Sequence, residues 1–433
     1  MRCAFPSRCV ASLVSIVVIL LLTSPADAKR YTRYKKDDEK KPPSPTAVEP
    51  APEPEVEEAP LAEGEMSEPE EPPGLLGYPL HGSDALKIEY IYTGDVFTNL
   101  RGGLNTANAT EYLGLFDLAL TADLQALRLL PGGTLFVLAE NYQGRGITNE
   151  HVGDFQTLDN IDSGRECVQV SEFWWQRDFF EGVVSVRLGK QDANAEFGIV
   201  GLGGDFVNSS FGMPPNVPMP VWPYPAAGVL TFLQLAEALF LDVGVFDGAA
   251  DGRSWGWSRT GETFTMGQLR TEWELGARQL PGDFHIGLWY HSGDPEDLAD
   301  ATLTHAGNYG VELGLDQLIL RESGEDTPQG LGLFGQYSWA PADRNEIVNY
   351  IGGGLVYQGL IPRRDEDIAG LGVAHAVFSN QLPDQDHETA LELFYKTQLN
   401  PWIVVQPDLQ LIMKPNGDGN DALVAGLRFE AVL

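Results

Sequence analysis

The chain has 433 residues and a formal net charge of −34, with 62 acidic against 28 basic side chains. That balance disfavours nucleic-acid binding, which needs a basic surface for phosphate contact. Of the 3 cysteines, Cys3 and Cys9 fall in a leader, so Cys167 alone remains and no internal disulfide framework is expected.

The N-terminus reads as a secretory signal. Arg2 and Arg8 form a basic region, Val10 to Leu22 an apolar one, and Ala26-Asp27-Ala28 a small-x-small cleavage site. Cleavage is expected after Ala28; a retained anchor is disfavoured because the apolar core is short. Residues 29–74 read as a disordered periplasmic linker. They begin basic (Lys35, Lys36, Lys40, Lys41) and continue through Glu49 to Pro60 as EPAPEPEVEEAP, with few large apolar residues to offset ordering entropy. Such a segment extends at about 3.1 Å per residue. A solvated spacer is the plain expectation, with contact to the cell wall through the lysines as a further one. The acidic excess continues past this linker into the rest of the chain. No later stretch is a long uncharged apolar run, so no transmembrane helix is expected.

From Ala85 onward the hydrophobic pattern has period two. Ile403, Val405, Leu409, Leu411 and Met413 share one face, with Gln406, Asp408, Gln410 and Lys414 on the other. Phe284, Ile286, Leu288 and Tyr290 likewise alternate with His285, Gly287, Trp289 and His291. Such runs are half-buried strands. Sixteen of them begin near Ala85, Tyr112, Gly133, Val168, Val183, Gly228, Ala238, Gly267, Asp283, Gly307, Gly330, Asn349, Gly372, Glu388, Ile403 and Ala422. Most span about ten residues, the length a tilted strand needs to cross a bilayer. An even count with alternating faces predicts an all-β fold over residues 75–433, a transmembrane antiparallel β-barrel. Closure removes sheet edges and pairs every backbone group, as lipid requires.

With both termini periplasmic, the odd-numbered gaps face outward. These include Gln143 to Glu166, Gln191 to Ala227, Gly248 to Met266 and Ser292 to Ala306. Most even gaps are short, as the periplasmic turns of such a barrel should be; those at Ser323 to Gln329 and Ile361 to Gly370 are longer. One outward gap stands apart. The stretch Gly204 to Leu230 holds Pro214, Pro215, Pro218, Pro220, Pro223 and Pro225, with Trp222 and Tyr224 among them. Proline withholds a backbone donor, so this is no sheet interior. Its apolar content predicts an ordered loop packed against the inner wall.

Signatures of catalysis are missing: no G-x-S-x-G elbow, no H-E-x-x-H pair and no phosphate-cradling loop. The chain is therefore read as not an enzyme, with no cofactor and no metal. His285 and His291 share a face but stand about 20 Å apart along a strand. Asn416 to Asp421 (NGDGND) resembles a calcium loop, but lacks the bidentate glutamate and reads as a hairpin turn. The polar strand face carries the function of a barrel, and by alternation it includes Arg187, Glu392, Gln410 and Arg428.

Several segments carry a family likeness. FVNSSFGMPP (Phe206 to Pro215), LRLLPGGTLFV (Leu127 to Val137), VGDFQTLDNID (Val152 to Asp162) and EFWWQRDF (Glu172 to Phe179) resemble signatures of the OprB-type carbohydrate-selective porins. VRLGKQDANAEF (Val186 to Phe197), GGGLVYQGLIPRRDEDIAGLGV (Gly352 to Val373), PWIVVQPDLQLIMKPNG (Pro401 to Gly417) and ALVAGLRF (Ala422 to Phe429) continue the resemblance in order. It implies a monomeric sixteen-stranded outer-membrane porin for small carbohydrates, with external loops folded in to narrow the pore. It also implies Arg187, Lys190, Asp192 and Asn194 beside the channel, and Asn208 in the constricting loop. Leu433 stands where a terminal aromatic is usual, which turns attention to Phe429. Trp222, Tyr224 and Trp289 are candidates for stacking on sugar rings. The expected partners are carbohydrates and outer-membrane lipid. A general, weakly cation-preferring porin remains open on the acidic balance, and a secreted β-rich adhesion protein is the reading from another class.

Overall fold

The structure is a computed structural model that describes residues 81–83, 85–322 and 329–432. The expected signal sequence and cleavage site, the expected Pro/Glu linker and most of the gap from Ser323 to Gln329 lie outside the described residues.

A short strand β1 (His81–Ser83) pairs with the foot of β2 (Leu86–Arg101). The strands β3 (Thr110–Asp123), β4 (Thr134–Gly144), β5 (Cys167–Phe179), β6 (Val184–Gln191), β7 (Ala226–Ala236), β8 (Leu239–Asp247) and β9 (Thr263–Leu275) follow. Then come β10 (Leu280–His291), β11 (Asn308–Arg321), β12 (Gly330–Trp339), β13 (Ile347–Gln358), β14 (Ile368–Phe378), β15 (His387–Asn400), β16 (Ile403–Met413) and β17 (Ala422–Val432). From β2 to β17 each strand pairs antiparallel with the next, and β17 returns to β2 through pairs such as Arg428↔Asp95. The result is a closed barrel of sixteen staves, so every edge is consumed and lipid meets no unpaired backbone.

Period two decides which face is which. On β10, His285 and Trp289 point inward and are 1 % and 2 % exposed, while Leu288 between them points out and is 63 % exposed. This inverts the rule for soluble proteins. The outer wall is apolar and open because its solvent is lipid, and the inner wall is polar yet buried. What buries it is the chain's own outer connections. The links 145–166 and 192–225 are long, whereas 180–183, 237–238 and 401–402 are short. Long loops at one end and tight turns at the other give the orientation expected of an outer-membrane barrel.

The two longer inner links also divide. Most of the first is undescribed; the second, Gly359 to Asp367, is an ordered turn. Arg364 Nε and Nη2 each donate at 2.8 Å to the Asp367 carboxylate, which also accepts from Tyr395 Oη at 2.7 Å. The predicted hairpin turn at Asn416 is an eight-residue link, 414–421, with a short 3-10 segment (Pro415–Gly417), closed where Lys414 N donates to Asp421 Oδ1 at 3.0 Å.

Candidate functional site: a constriction loop and the wall that holds it

After β6 the chain leaves the sheet at Asp192 and turns back into the barrel. Its many prolines stop it from adding a strand to the wall. It is instead bonded to the wall by side chains of the staves opposite. Glu392 on β15 accepts the N–H groups of Val207 at 2.6 Å and Asn208 at 2.9 Å. Asn208 Oδ1 accepts from Ser210 N at 3.1 Å, capping the single helical turn α1 (Ser209–Gly212), and Asn208 Nδ2 donates to Gln410 Oε1 at 3.3 Å. Tyr350 Oη donates to Ser210 O at 2.6 Å and Gln336 Nε2 to Phe211 O at 3.1 Å. Asp316 on β11 accepts from Gly201 N and Leu202 N, and Gln268 on β9 from Gly198 N. The loop is thus tied to β9, β11, β12, β13, β15 and β16. A buried carboxyl left without its donors would be costly, so wall and loop stabilise each other.

Packing sets the depth of the loop. Phe206 and Phe211 lie with ring centroids 4.3 Å apart and press on Phe334 and Phe394. They enter a patch of wall built from small inward residues, Gly370, Gly372, Ala374, Ala376 and Ala390. A Cβ on Gly372 would meet the Phe206 and Phe211 rings at 2.6 and 2.7 Å. The glycine is there for close approach, not for an unusual dihedral.

A second loop, 145–166, seals the neighbouring sector. Glu388 accepts from the N–H groups of Phe155, Gln156 and Asn416 at 2.7, 2.9 and 2.6 Å. Arg428 bridges Asp95 on β2 at 2.6 Å to Asp159 and Asn160 in the loop, at 3.3 and 2.6 Å. The two loops are joined: Asn160 N donates to Val207 O and Ser209 N to Thr157 O. Within this loop Asp154 is enclosed. Burial first, and the nearby Glu388 charge second, push its carboxyl up to about 7.

The sequence-derived candidates sort into three groups. Asn208, Glu392, Gln410 and Arg428 come together, but as anchors of the inward loops. Arg187 also faces inward and is held: its guanidinium lies 4.1 Å from the Trp174 ring centroid and 5.2 Å from that of Phe232, and Nη2 donates to Glu196 Oε1 at 2.8 Å. Asp192 and Asn194 shape the loop's start. Asp192 accepts from Trp222 N at 2.6 Å and Asn194 N at 2.7 Å, with burial raising its pKa, while Asn194 Nδ2 donates to Phe197 O.

Two candidates stand elsewhere. Lys190 pairs with Phe173 and Ala227 on the face opposite Arg187, and its ammonium donates to Val170 O and Gly252 O at 2.7 and 2.6 Å. It lies outside the lumen, because one residue of offset from Gly189 reverses the face. Trp289 points inward but is only 2 % exposed, stacked near Phe264 beneath the loop. Its surface is spent on packing, so it has no free ring face for a sugar. The other two aromatics remain near the opening. Trp222 meets Tyr142 edge-on with ring centroids 4.8 Å apart, and Tyr224 is 45 % exposed with Arg165 over its ring at 5.2 Å. Tyr224 helps line an open cleft of about 250 Å³ with Pro218, Met219, Pro220, Gly248, Ala250 and Phe264.

Sequence reasoning missed the loop's aromatic anchors and the role of Glu388. The small inward residues of β14 were a usable signal, since a run of Gly and Ala on the lumen side implies something bulky against it.

One group has metal-ligand chemistry among the described residues: Glu111, Glu150 and His151, whose donor atoms lie within 4.8 Å of one another. Its hydrogen bonds argue for a latch. Asn105 Oδ1 accepts from Ala107 N, which fixes the amide so that Nδ2 faces His151 Nδ1 at 3.1 Å. Nδ1 is then the acceptor, and Nε2 carries the proton toward Glu111 Oε1 at 3.3 Å.

A closed sixteen-stave barrel, lipid-facing outside and narrowed by an inward-folded loop, defines a porin of the outer membrane. The family model for the carbohydrate-selective porins, OprB family, matches residues 107–433, and the chain belongs to that family. It is 22% identical over 398 residues to Porin B of Pseudomonas aeruginosa, covering 80% of this chain and 87% of that protein. It is 23% identical over 383 residues to the putative porin QuiX of Acinetobacter baylyi, covering 76% and 85%. Among solved structures, the high-pH form of Pseudomonas putida OprB superposes with a TM-score of 0.74 at 22% identity, over 81% of this chain and 94% of that one. The protein is therefore an outer-membrane porin for passive diffusion of carbohydrates.

Proposed function

We propose that neutral sugars enter through the cleft beside Tyr224 and pass the rim of the constriction loop, and that the acidic interior disfavours anionic ones. The observation that carries this reading is the Tyr224 ring. It is 45 % exposed on a cleft with apolar walls, and the Arg165 guanidinium covers one face. A sugar has apolar ring faces and a rim of hydroxyls, so an aromatic beside polar groups matches it, provided binding stays weak enough for release. Arg187, gripped by Trp174, Phe232 and Glu196, braces the start of the loop and presents the edge of that cluster. The test is single-channel current in planar bilayers with added monosaccharide. Concentration-dependent block that Tyr224→Ala weakens supports the route; equal block by sugars and by zwitterions of similar size rejects the selectivity.

A second reading, a weak cation preference, is favoured by Asp117, Glu140 and Glu172. These acids sit on the inner faces of β3, β4 and β5, Asp117 half-buried and Glu140 and Glu172 buried beside Tyr142 and Trp174. Reversal potentials in a salt gradient measure it. Function as a monomer is part of the same proposal, and cross-linking in membranes tests it. The proposed cell-wall contact of Lys35 to Lys41 lies outside the described residues, and peptidoglycan pull-down with the full chain tests it.

A further inference from the structure

The link between β8 and β9 starts against the constriction loop, where Gly248 and Ala250 line the cleft beside Tyr224. From Gly252 on it crosses the outside of the barrel. Lys190, on the lipid-side face of β6, is 3 % exposed because this link lies over it, and its ammonium donates to Gly252 O at 2.6 Å. Gly252 has φ +69, and a Cβ there would meet Pro223 O at 2.3 Å, so the link is pressed to the rim of the barrel at that point. Further bonds stiffen it: Ser258 N and Oγ each donate to the Asp247 carboxylate at 2.7 Å, and Arg253 N and Ser254 N donate to Asp251 Oδ1.

That rigid path carries Trp255 onto the outer face of β5. Its ring meets Phe173 edge-on with centroids 5.9 Å apart. Phe173 is a lipid-facing residue, 44 % exposed, and Val168 above it is 77 % exposed. Trp255 and Trp257 are themselves 60 % and 49 % exposed. The apolar surface of the barrel therefore continues without a break onto this link, at the extracellular end. Arg253 and Arg259 flank the two tryptophans, and both are exposed. Neither guanidinium pairs with a carboxylate among the described residues. Within 248–262 these two arginines are matched by Asp251 and Glu262, so the link is locally neutral in a chain of net charge −34 and sets two unpaired guanidinium groups beside two open indoles.

We propose that residues 248–262 form a docking site for the phosphate-bearing headgroup of an outer-leaflet lipid. Tryptophan suits the level where one end of the ring is apolar and the other wet. Arginine matches phosphate geometry through paired N–H donors. Lys190 is the positioning residue, since it holds the backbone that aims the four side chains.

The experiment uses the full chain in nanodiscs of phosphatidylcholine with a fixed fraction of phosphatidylglycerol. Brominated acyl chains quench tryptophans that reach the lipid, and Trp255→Phe with Trp257→Phe is expected to lower the quenched fraction. Arg253→Gln with Arg259→Gln, a surface change that leaves the barrel packing untouched, is expected to cut retention of phosphatidylglycerol relative to phosphatidylcholine several-fold in native mass spectrometry. Single-channel conductance serves as the folding control and stays as in the parent. An unchanged lipid ratio in the arginine variant overturns the proposal, and so does bromine quenching that is the same with and without the two tryptophans.

Discussion

At the scale of single residues, inward charges in this porin mainly hold loops. Glu388 and Glu392 accept three and two backbone N–H groups respectively, so their oxygens are directed at the chain's inward connections. Tyr224 is the aromatic left open. Loss of a ring contact costs about 0.5–1.5 kcal/mol, so Tyr224→Ala should weaken sugar block of the current by roughly two- to tenfold. Phe in its place should retain most of the block. Asp154 gives a pH dependence of definite sign. Its folded value of about 7 lies above the unfolded carboxylate range near 3.9. The protonated, folded form is thus favoured at low pH, and that stability is lost as pH rises from about 4 through 7. Protection factors of residues 145–166, corrected for the intrinsic pH dependence of amide exchange, should be higher at pH 5 than at pH 8, by at most about 1.4 kcal/mol per pH unit. Asp154→Asn should flatten the profile while keeping the acceptor for Leu158 N.

At the scale of the element, the constriction loop is a wedge fastened along its length. Gly372→Val would drive a branched side chain into Phe206 and Phe211. Overpacking of that kind costs about 1–3 kcal/mol, and it should lift the loop from β14 without opening the barrel. Limited proteolysis within 192–225 should then speed up, while the heat-modified electrophoretic shift of the barrel stays. Deleting Asn208 to Pro225 removes the helical turn, the cap and most of the prolines together. Conductance should rise and sugar selectivity fall, as read by liposome swelling; unchanged swelling would show that the loop does not narrow the pore. The loop was visible in the sequence through its prolines and aromatics. Its seat was not, because Phe206 touches residues on β12 and β15 that lie more than a hundred positions downstream.

At the scale of the whole molecule, acidity and architecture are linked. Acidic side chains are concentrated on the inner wall, where backbone N–H groups of two folded-in loops meet several of them. On β3, β4 and β5 Asp117 is half-buried and Glu140 and Glu172 are buried, and the second reading assigns them the field in the lumen. In a tenfold salt gradient the reversal potential should carry the sign of cation preference, and Asp117→Asn with Glu172→Gln should move it toward zero. A potential already at zero in the parent would remove the second reading.

The sequence by itself determined the staves. Period two, a length near ten residues and an even number leave one closed arrangement in lipid, and most strands begin within four residues of the expected start. It also marked which connection would fold inward, because prolines and aromatics together exclude both sheet and solvent. Tertiary structure alone decided how the polar face is used. Alternation puts Arg187 and Trp289 on the same inner face, yet one is gripped beside the loop and the other is entombed under it. Alternation also turns Lys190 outward, a point easily lost when a motif is read as a unit. Which residues are covered depends on where two loops land across the barrel. That landing is set by contacts between segments far apart in the chain, which no local pattern encodes.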